Sequence, residues 1–266
     1  LTWESDGSGS GGQGWYDLAL AASPIDANIL LVGGVNTWRS TNGGVDWSIV
    51  NHWYGDGVQS VHADKHMLSY RSNGTLFECN DGGVYRSGNN GTNWVDRTDG
   101  IQISQMYRLG VSQTDPDDII TGLQDNGSKL HTGPNWYDVR GGDGMECLID
   151  YTDVNIQYAT VYYGAIDRTT DHWQSSTAIE PNDNGAWVTP YIIDPNDPAI
   201  LYAGYDEVWK TNDRGDNWEL ISSLNINSKV RSMAIAASDT RYLYIADHNT
   251  IWRTTDGGGD WTEITN

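Results

Sequence analysis

The chain has 266 residues, with 36 acidic and 15 basic side chains and a formal net charge of -21. This balance argues against nucleic-acid binding, where affinity comes from Lys and Arg neutralising phosphates, and against attraction to anionic membrane surfaces. No apolar run approaches the roughly 20 residues that span a bilayer, so membrane insertion is not expected. The 13 Trp, 15 Tyr and 31 Gly residues favour many small sheets with tight turns over one deep aliphatic core.

Tryptophan recurs at a nearly regular interval along the chain. Seven tryptophans follow a turn rich in Gly, Asn or Asp and stand 37–47 residues apart. They are Trp3, Trp47, Trp94, Trp136, Trp173, Trp218 and Trp261. Four-stranded propeller blades repeat roughly every 40–50 residues. Almost no stretch of this chain carries the 3.6-residue apolar period of a helix. The interval therefore predicts the blades of a β-propeller.

A short phrase precedes most of these tryptophans: Ser or Thr, then Asn or Asp, then Gly, then Trp. Four copies are complete: Ser40, Asn42, Gly44 and Trp47; Ser87, Asn89, Gly91 and Trp94; Thr211, Asp213, Gly215 and Trp218; and Thr254, Asp256, Gly258 and Trp261. Two are degenerate, at 130–134 and 167–171. The Asx side chain can accept backbone N–H groups, and Gly supplies a positive φ. We interpret the phrase as a structural hairpin and expect each tryptophan to pack over its own hairpin.

Each repeat also has two strands ahead of the phrase, separated by a turn such as Ser23–Asp26 or Asp115–Asp118. Strand, turn, strand, loop, strand, turn and strand make one four-stranded antiparallel blade. We predict an all-β propeller of about six blades in a single domain, residues 1–266. The predicted blades are 14–51, 57–98, 104–140, 144–178, 186–223 and 229–266.

The start of the chain gives one strand too many. Thr2 to Ser5 resembles the fourth strand of a blade, yet the last blade already has its own fourth strand around Trp261. Residues 1–5 are therefore predicted to be a stray outer strand. This expectation makes the chain part of a longer polypeptide, with a propeller of seven or more blades as an alternative.

The Ser/Thr-x-Asp-x-Gly-x-x-Trp phrase resembles the Asp-box, also called the bacterial neuraminidase repeat. That repeat occurs in the β-propellers of sialidases, two-propeller xyloglucanases, sortilin-type receptors and photosystem assembly factors. The resemblance covers nearly the whole chain and implies a propeller architecture, while the function stays open. The arginines lie mainly within the repeat phrase, so the arginine triad of sialidases is not recognisable.

Four further stretches resemble secreted bacterial propeller proteins that are described as sortilin-like or xyloglucanase-like. They are Val61–His66, Asn80–Tyr85, Gly122–Ser128 and Gly141–Gly144. This resemblance implies a secreted or cell-surface location. It reaches enzymes and non-enzymes alike, so it does not decide whether the chain is catalytic.

Aromatic and acidic side chains fall in the loops that such blades place on one face. The predicted ligand-binding residues are Trp15, Trp53, Tyr54, Asp81, Asp125, Asp143, Trp187 and Tyr205. Aromatic rings can stack on pyranose faces while carboxylates accept hydroxyl protons. The alternative is that Asp-Gly and Asn-Gly pairs are simply good turns, and this is the favoured interpretation for any single Asp.

Metal, cofactor and thiol chemistry give weaker signals. His62, Asp64 and His66 alternate, and we predict that they lie on an innermost strand and face a central channel. His62 and His66 would then stand roughly 13 Å apart, too far to share one ion without ligands such as Asp81 or Asp143, so a metal is left open. No cofactor is expected, and Cys79 and Cys147 are predicted to be free thiols.

Three functions are compatible with these features. The first is a non-catalytic, secreted or cell-surface module that binds glycan or protein, which we favour. The second is a glycoside hydrolase that uses two rim carboxylates roughly 5–10 Å apart. The third is a purely structural repeat domain of a larger surface protein. Two carboxylates facing each other in an aromatic-lined cleft would favour the enzyme.

Overall fold

The computed structural model describes residues 8, 12–101, 104–224, 226 and 228–265. The chain divides into two compact units, Leu1–Ile103 (unit 1) and Ser104–Asn266 (unit 2). Across the described residues the regular structure is β, apart from a 3-10 turn at Tyr162–Gly164. Within these ranges no helix is long and apolar enough to cross a membrane. The predicted stray strand, residues 1–5, lies outside the described residues.

Unit 1 contains two four-stranded antiparallel sheets, each with its strands in chain order. Sheet 1 comprises β1 (Ala19–Ala22), β2 (Leu30–Gly33), β3 (Thr37–Ser40) and β4 (Ser48–Asn51). Sheet 2 comprises β5 (Lys65–Tyr70), β6 (Leu76–Asn80), β7 (Gly83–Ser87) and β8 (Val95–Asp96). The first strands of the two sheets, β1 and β5, contact each other.

Unit 2 contains four more sheets of the same kind. Sheet 3 comprises β9 (Met106–Val111), β10 (Ile119–Leu123), β11 (Gly127–Thr132) and β12 (Asn135–Arg140). Sheet 4 comprises β13 (Gly144–Ile149), β14 (Gln157–Val161), β15 (Ala165–Thr169) and β16 (Thr177–Ala178). Sheet 5 comprises β17 (Tyr191–Ile193), β18 (Leu201–Gly204), β19 (Val208–Thr211) and β20 (Glu219–Leu220). Sheet 6 comprises β21 (Ser232–Ile235), β22 (Leu243–Ala246), β23 (Ile251–Thr254) and β24 (Trp261–Glu263).

The prediction of an all-β propeller fold with six four-stranded antiparallel blades is confirmed. In each sheet the antiparallel order places the first-to-second and third-to-fourth turns at one end, which we call the turn end. The second-to-third connection and the loop to the next sheet then lie at the opposite end, which we call the loop end. This follows from four consecutive strands that alternate in direction.

The hydrophobic cores lie between neighbouring sheets. In unit 1, Leu31 of sheet 1 is buried with Leu68 and Leu76 of sheet 2. In unit 2, Tyr158 of sheet 4 is buried with Tyr191 of sheet 5. Alternation along each strand puts every second side chain between the sheets. Within each unit an apolar blade face is therefore covered by a neighbouring blade, and the sheets stabilise one another by burying that face.

The repeat phrase forms a hydrogen-bonded turn at the turn end of five sheets. In sheet 1, the Ser40 hydroxyl accepts the backbone N–H groups of Asn42 (3.3 Å) and Gly44 (2.8 Å). It also donates to Asn42 Oδ1 (3.0 Å), which in turn accepts the N–H of Asp46 (2.9 Å). The equivalent hydroxyls are those of Ser87, Thr169, Thr211 and Thr254. The turn thus satisfies several backbone donors with two side chains.

Sheet 3 departs from this pattern. Its third and fourth strands pair directly from Thr132 to Asn135, so that only Gly133 and Pro134 remain between them. Gly133 has a φ of 55°, which a tight hairpin requires and which Gly adopts without strain. The degenerate phrase at 130–134 is therefore a shorter turn, and Trp136 lies on β12 with 53% of its surface exposed.

The tryptophans of the phrase do not all hydrogen-bond to their own turns. Trp47 does, since its indole N–H donates to Gly44 O at 3.0 Å. In unit 2, however, the indole of Trp218 donates to Ile179 O, just after sheet 4. That of Trp261 donates to Ile221 O, just after sheet 5. An indole N–H needs an acceptor when buried, and in these two cases the acceptor belongs to the preceding blade.

Candidate functional site

The eight predicted ligand-binding residues all lie at the loop ends of their sheets. Unit 1 contributes Trp15, Trp53, Tyr54 and Asp81, and unit 2 contributes Asp125, Asp143, Trp187 and Tyr205. Loops at this end connect one blade to the next, and their length is not fixed by strand pairing. Each unit forms its own cluster there, and the two clusters differ in chemistry.

An acidic cluster in unit 1 brings together Asp17, Asp64 and Asp81. Asp17 precedes β1, Asp64 precedes β5, and Asp81 lies in the turn between β6 and β7. Carboxylate oxygens of Asp64 and Asp81 lie within 4.8 Å of each other. Asp17 is fully buried, and neither of its carboxylate oxygens has a hydrogen-bond donor in the described part of the chain. Only Asp81 of the three was among the predicted ligand-binding residues.

Polar and aromatic side chains surround the acidic cluster. Gln13 donates its amide N–H to Asp64 Oδ1 at 2.8 Å. His66 Nε2 lies 2.7 Å from Asp81 Oδ1, and the ring of Tyr16 meets the His66 ring edge-on with centroids 5.3 Å apart. Trp15 is the most exposed member of this group, with 83% of its surface accessible. The cluster is thus a carboxylate-rich site bordered by aromatic rings.

Burial sets the proton affinity of this cluster. It raises the pKa of Asp17 above its ordinary value. It also raises the pKa of Asp64, to about 6, and the nearby carboxylates of Asp17 and Asp81 add to the rise. Desolvation and like charges both disfavour the ionised form of a carboxyl group. Burial and like charge therefore both favour the protonated forms of Asp17 and Asp64.

The prediction that His62, Asp64 and His66 alternate along one strand is wrong. Strand β5 begins at Lys65, after both His62 and Asp64, and Asp64 has a φ of 60°, which interrupts any extended run. His66 is the extra residue of a β-bulge, because Lys65 pairs with Asn80 and Met67 with Cys79. A bulge re-aims one side chain, and here it directs His66 to Asp81.

The same strand start contains a buried ion pair that the sequence did not reveal. Lys65 Nζ lies 3.6 Å from Glu78 Oε1, and both side chains are fully buried. Thr37 and Asn51 also donate to Glu78 Oε2, at 2.7 and 3.0 Å, and Lys65 donates to Val35 O at 3.1 Å. This network lies beside the acidic cluster, and within it the positive charge of Lys65 is paired with the negative charge of Glu78.

Unit 2 presents an aromatic platform made of Tyr162, Tyr163 and Trp187. The rings of Tyr162 and Trp187 are stacked, with centroids 5.3 Å apart and an interplanar angle of 13°. Tyr163 meets Trp187 edge-on at 5.4 Å. Their exposed fractions are 40%, 47% and 39%. Exposed aromatic clusters of this kind on a soluble protein are typical of binding surfaces.

Backbone hydrogen bonds hold the platform in place. Tyr162 and Tyr163 form the 3-10 turn between β14 and β15, where Tyr163 has a φ of 63°. The N–H of Tyr163 donates to Trp187 O (3.3 Å), and the N–H of Gly185 donates to Tyr163 O (2.9 Å). Trp187 Nε1 also donates to the Tyr107 hydroxyl at 3.2 Å. Because these contacts fix the rings before any ligand arrives, binding would cost little ordering entropy.

Bulges in the first strands of sheets 3 and 4 add polar groups at the same loop ends. Tyr107 is the extra residue in β9, and its hydroxyl donates to Gln124 Oε1 at 3.0 Å. A second bulge spans Met145 and Glu146 in β13. Burial raises the pKa of Glu146 to about 7, although Arg108, whose Nε lies 3.1 Å away, opposes the rise. Glu146 is thus a carboxyl group that exchanges its proton near neutral pH.

Three predicted ligand residues make contacts within the protein. Tyr205 is fully buried, and its hydroxyl donates to Gly164 O at 2.5 Å. Its ring therefore has no surface for a ligand, which corrects the prediction. Asp143 Oδ1 accepts the N–H of Asp125 at 2.9 Å, and Asp125 has a φ of 59°. This hydrogen bond supports the turn between β10 and β11, and the role of Asp125 and Asp143 as ligand-binding residues stays a prediction.

Trp53 and Tyr54 form a smaller aromatic pair in unit 1, in the loop between β4 and β5. Their rings meet edge-on with centroids 4.7 Å apart, and Tyr54 also meets the buried His52 ring at 4.0 Å. Trp53 is 44% exposed and Tyr54 56%. Their role as ligand-binding residues stays a prediction.

No family model and no curated protein matches this sequence. Solved structures resemble it at low identity. One is a GH74 xyloglucanase from Xanthomonas campestris, 14% identical, with a TM-score of 0.48 over 99% of this chain and 55% of that one. Another is the extracellular domain of a putative one component system, BT4673, from B. thetaiotaomicron, 14% identical, with a TM-score of 0.48 over 98% and 38%. YCF48 from Cyanidioschyzon merolae is 12% identical, with a TM-score of 0.43 over 93% and 84%. None of these similarities assigns a function to this chain.

Several residues of the two clusters escaped the sequence analysis. Tyr162 and Tyr163 stand next to Gly164 between two predicted strands, and this aromatic pair in a loop was a usable signal. Asp17 and Glu146 had none, because an isolated acidic residue beside a strand looks like any solvated side chain. Only the packing of neighbouring strands shows that Asp17 is buried and Glu146 partly buried.

Proposed function

We propose that this chain is a carbohydrate-binding β-propeller module whose sugar-binding surface is the aromatic platform of Tyr162, Tyr163 and Trp187. The observation that supports this most is the exposed, nearly parallel stack of Tyr162 and Trp187. Flat aromatic surfaces suit the C–H face of a pyranose ring, which is apolar, and they bury large areas with few rotatable bonds.

Polar groups beside the platform suit the hydroxyl groups of a sugar. The Tyr107 hydroxyl and the Gln124 amide are linked by a hydrogen bond and lie next to Trp187 through its indole N–H. A ligand site of this type combines an apolar wall with a few placed donors and acceptors that fix its orientation. Glu146 and Arg108 lie on the same two first strands, β13 and β9, and supply further charged partners.

Binding without hydrolysis is favoured by the arrangement of carboxylates. Glycoside hydrolases hold their two carboxyl groups about 5–10 Å apart across the scissile bond. The acidic pair that the structure brings together, Asp64 and Asp81, is closer, within 4.8 Å. The raised pKa of Glu146 would suit a general acid. Its charged contact, however, is the cation Arg108 and not a second carboxylate.

The proposed setting is secreted or cell-surface, within a longer polypeptide. A net charge of -21 suits a soluble protein that avoids non-specific contact with nucleic acid and anionic membranes. The protein-ligand and purely structural alternatives differ from this proposal in one respect, since neither requires free glycans to bind at the platform.

A binding screen tests the proposal. The purified chain is applied to a glycan array and to soluble polysaccharides that include xyloglucan, mannan and chitin oligomers, and hits are titrated by calorimetry. Trp187→Ala and Tyr162→Ala are expected to weaken binding by about tenfold or more, which corresponds to 1.4 kcal/mol. Trp136→Ala is the matched control, because Trp136 is an exposed tryptophan of unit 2 on β12.

Two results would contradict the proposal. One is the absence of any glycan hit, which would favour a protein ligand or a structural role. The other is equal loss, or no loss, of affinity in the platform variants and the Trp136 control. Release of reducing ends from a bound polysaccharide would show that the chain is a hydrolase.

A further inference from the structure

Tyr107 reaches the aromatic platform from a sheet that does not carry it. It lies on β9 of sheet 3, whereas Tyr162 and Tyr163 lie in a turn of sheet 4 and Trp187 lies in the loop between sheets 4 and 5. The Tyr107 hydroxyl accepts the indole N–H of Trp187, with 3.2 Å between Oη and Nε1. The two residues are 80 positions apart in the chain, so this contact arises from the packing of blades and not from local turn chemistry.

A β-bulge directs the Tyr107 side chain to this position. Tyr107 is the extra residue of β9, because the pairing of β9 with β10 shifts between Gly122 and Leu123. Consecutive residues of a regular strand point to opposite faces of the sheet. Here, however, Arg108 contacts Glu146 of sheet 4, and Tyr107 contacts the loop that follows sheet 4. The bulge, which re-aims a side chain, allows both residues to reach sheet 4 and its loop.

Gln124 fixes the direction of the Tyr107 hydroxyl. The hydroxyl donates to Gln124 Oε1 at 3.0 Å, and the backbone N–H of Gln124 donates to Gln105 O at 2.9 Å, beside the start of β9. A tyrosine hydroxyl has one proton and two lone pairs. Because Gln124 holds the proton, the side of the oxygen that faces Trp187 can only accept. Trp187 therefore donates to Tyr107, which in turn donates to Gln124.

The bond to Tyr107 supplies a constraint that the other contacts of Trp187 do not. A backbone bond from the N–H of Tyr163 holds the main chain of Trp187, and stacking on Tyr162 holds the plane of its ring. Neither contact fixes the direction of the indole N–H within that plane, since stacking depends little on rotation about the ring normal. Tyr107 Oη fixes this direction, because an indole N–H is a single directional donor.

We propose that Tyr107 is the positioning residue of the sugar-binding platform, and that its hydroxyl holds the Trp187 ring in the orientation that presents a face to a pyranose. This inference rests on the proposed function and adds to it a residue that acts through Trp187. A ring that is already held in its binding orientation loses less rotational freedom when a ligand arrives. Loss of one hydrogen bond of this kind should weaken glycan binding by about fivefold.

The ligand-free chain provides the first test. Tyr107→Phe keeps the aromatic ring and removes the hydroxyl. In a nuclear magnetic resonance spectrum of the chain with isotope-labelled tryptophan, the Nε1–H signal of Trp187, assigned from Trp187→Phe, should shift in this variant and exchange faster with water. Gln124→Glu keeps an oxygen that accepts the Tyr107 proton, so it should leave the signal in place. Tyr137→Phe is the matched control, because Tyr137 is an exposed tyrosine of the same sheet, on β12.

Glycan affinity provides the second test. The xyloglucan, mannan and chitin oligomers of the binding screen are titrated by calorimetry into the unaltered chain, Tyr107→Phe and Tyr137→Phe, and the thermal unfolding of each chain is measured. Tyr107→Phe should weaken the binding of an oligomer by about fivefold, and Tyr137→Phe should leave it unchanged. A purely structural role of Tyr107 would lower the unfolding temperature without changing the Trp187 signal or the affinity of the folded chain.

The outcomes separate this inference from the proposed function. An unmoved Trp187 signal in Tyr107→Phe would overturn the inference, because the hydroxyl would then not hold the ring. A moved signal with unchanged affinity would overturn it as well, and the proposed function would stand. If neither these oligomers nor any glycan of the array binds the unaltered chain, the proposed function fails and the inference fails with it.

Discussion

Trp173 occupies in the turn of sheet 4 the position that Gly215 occupies in the turn of sheet 5. Each donates its backbone N–H to the threonine hydroxyl four residues earlier, at 2.9 Å for Trp173 and 3.0 Å for Gly215. Both have a positive φ, 63° and 98°. The regular spacing predicted that Trp173 is the last residue of the phrase. In the structure it lies instead at the position where the turn of sheet 5 has its glycine. A bulky residue in this conformation is strained, and the indole compensates by donating to Gln157 Oε1 at 2.8 Å.

Gly215→Ala is expected to destabilise unit 2 strongly. The new Cβ would lie 2.5 Å from Ile179 Cδ1 at a φ of 98°, so backbone strain and overpacking add to roughly 3 kcal/mol or more. Gly257→Ala, with a φ of 82° but no atom within 4 Å, should cost only about 1 kcal/mol from strain. Equilibrium denaturation of both variants measures the difference, and equal losses would contradict the packing argument.

Asp256→Ala should lower the unfolding temperature of the chain and leave glycan binding unchanged. The Asp256 carboxylate accepts the N–H of Asp260 (3.0 Å) and the Thr254 hydroxyl (2.7 Å), and these donors lower its pKa. Alanine leaves both donors without this acceptor. The Asp256 turn lies at the turn end of sheet 6, whereas the aromatic platform lies at the loop ends of its sheets. The glycan affinity of the variant should therefore stay unchanged while its unfolding temperature falls.

Asp256→Asn is the natural comparison for that variant. Asn42 and Asn89 perform the same role in unit 1, so the amide keeps an acceptor oxygen and should recover most of the lost stability. Thermal unfolding of the two variants side by side checks this. If Asn and Ala were equally damaging, the charge rather than the hydrogen bond would be the stabilising feature.

Breaking the Lys65–Glu78 pair should be severe. Glu78→Gln removes the charge that compensates a fully buried ammonium group, and loss of one partner of a buried pair typically costs about 3–5 kcal/mol. Replacing both residues by methionine should cost less than the sum of the single replacements, because no charge is then left buried. A double-mutant cycle from denaturation curves measures this coupling, and strict additivity would show that the pair does not interact.

Glu146 should make the stability of unit 2 depend on pH. Its pKa is raised from 4.5 to about 7, so the folded chain binds more protons than the unfolded chain between these values. Stability therefore falls as the pH rises from about 4.5 to 7, by roughly 3 kcal/mol at 1.36 kcal/mol for each unit. In Glu146→Gln, where the side chain cannot ionise, this part of the pH dependence should disappear.

The titration of Glu146 can also be observed directly. The carboxyl carbon of Glu146, assigned by comparison with Glu146→Gln, should titrate in a nuclear magnetic resonance experiment with a midpoint near 7. A midpoint near 4.5 would mean that water or Arg108 stabilises the carboxylate more than burial destabilises it, and the pH dependence of stability would then have another origin.

The repeat and its hairpins were determined by the sequence alone. Turn chemistry is local: the hydroxyl of Ser40, the amide of Asn42 and the glycine at position 44 lie within five residues and bond to one another wherever the chain places them. Strand alternation is local as well. The six blades followed from repeating these short patterns, and they needed no knowledge of which blade packs on which.

Only the tertiary structure decided the chemistry of the clusters. Asp17, Asp64 and Asp81 come from three segments, and their mutual repulsion exists only once β1 and β5 are side by side. The bulges at His66, Tyr107 and Glu146 depend on register with the partner strand, which no single strand encodes. Trp173 is in the glycine position because Gln157, on a neighbouring strand, accepts its indole N–H. Proton affinity, ring stacking and burial are properties of pairs of residues far apart in the chain, and they arise when packing removes water from between them.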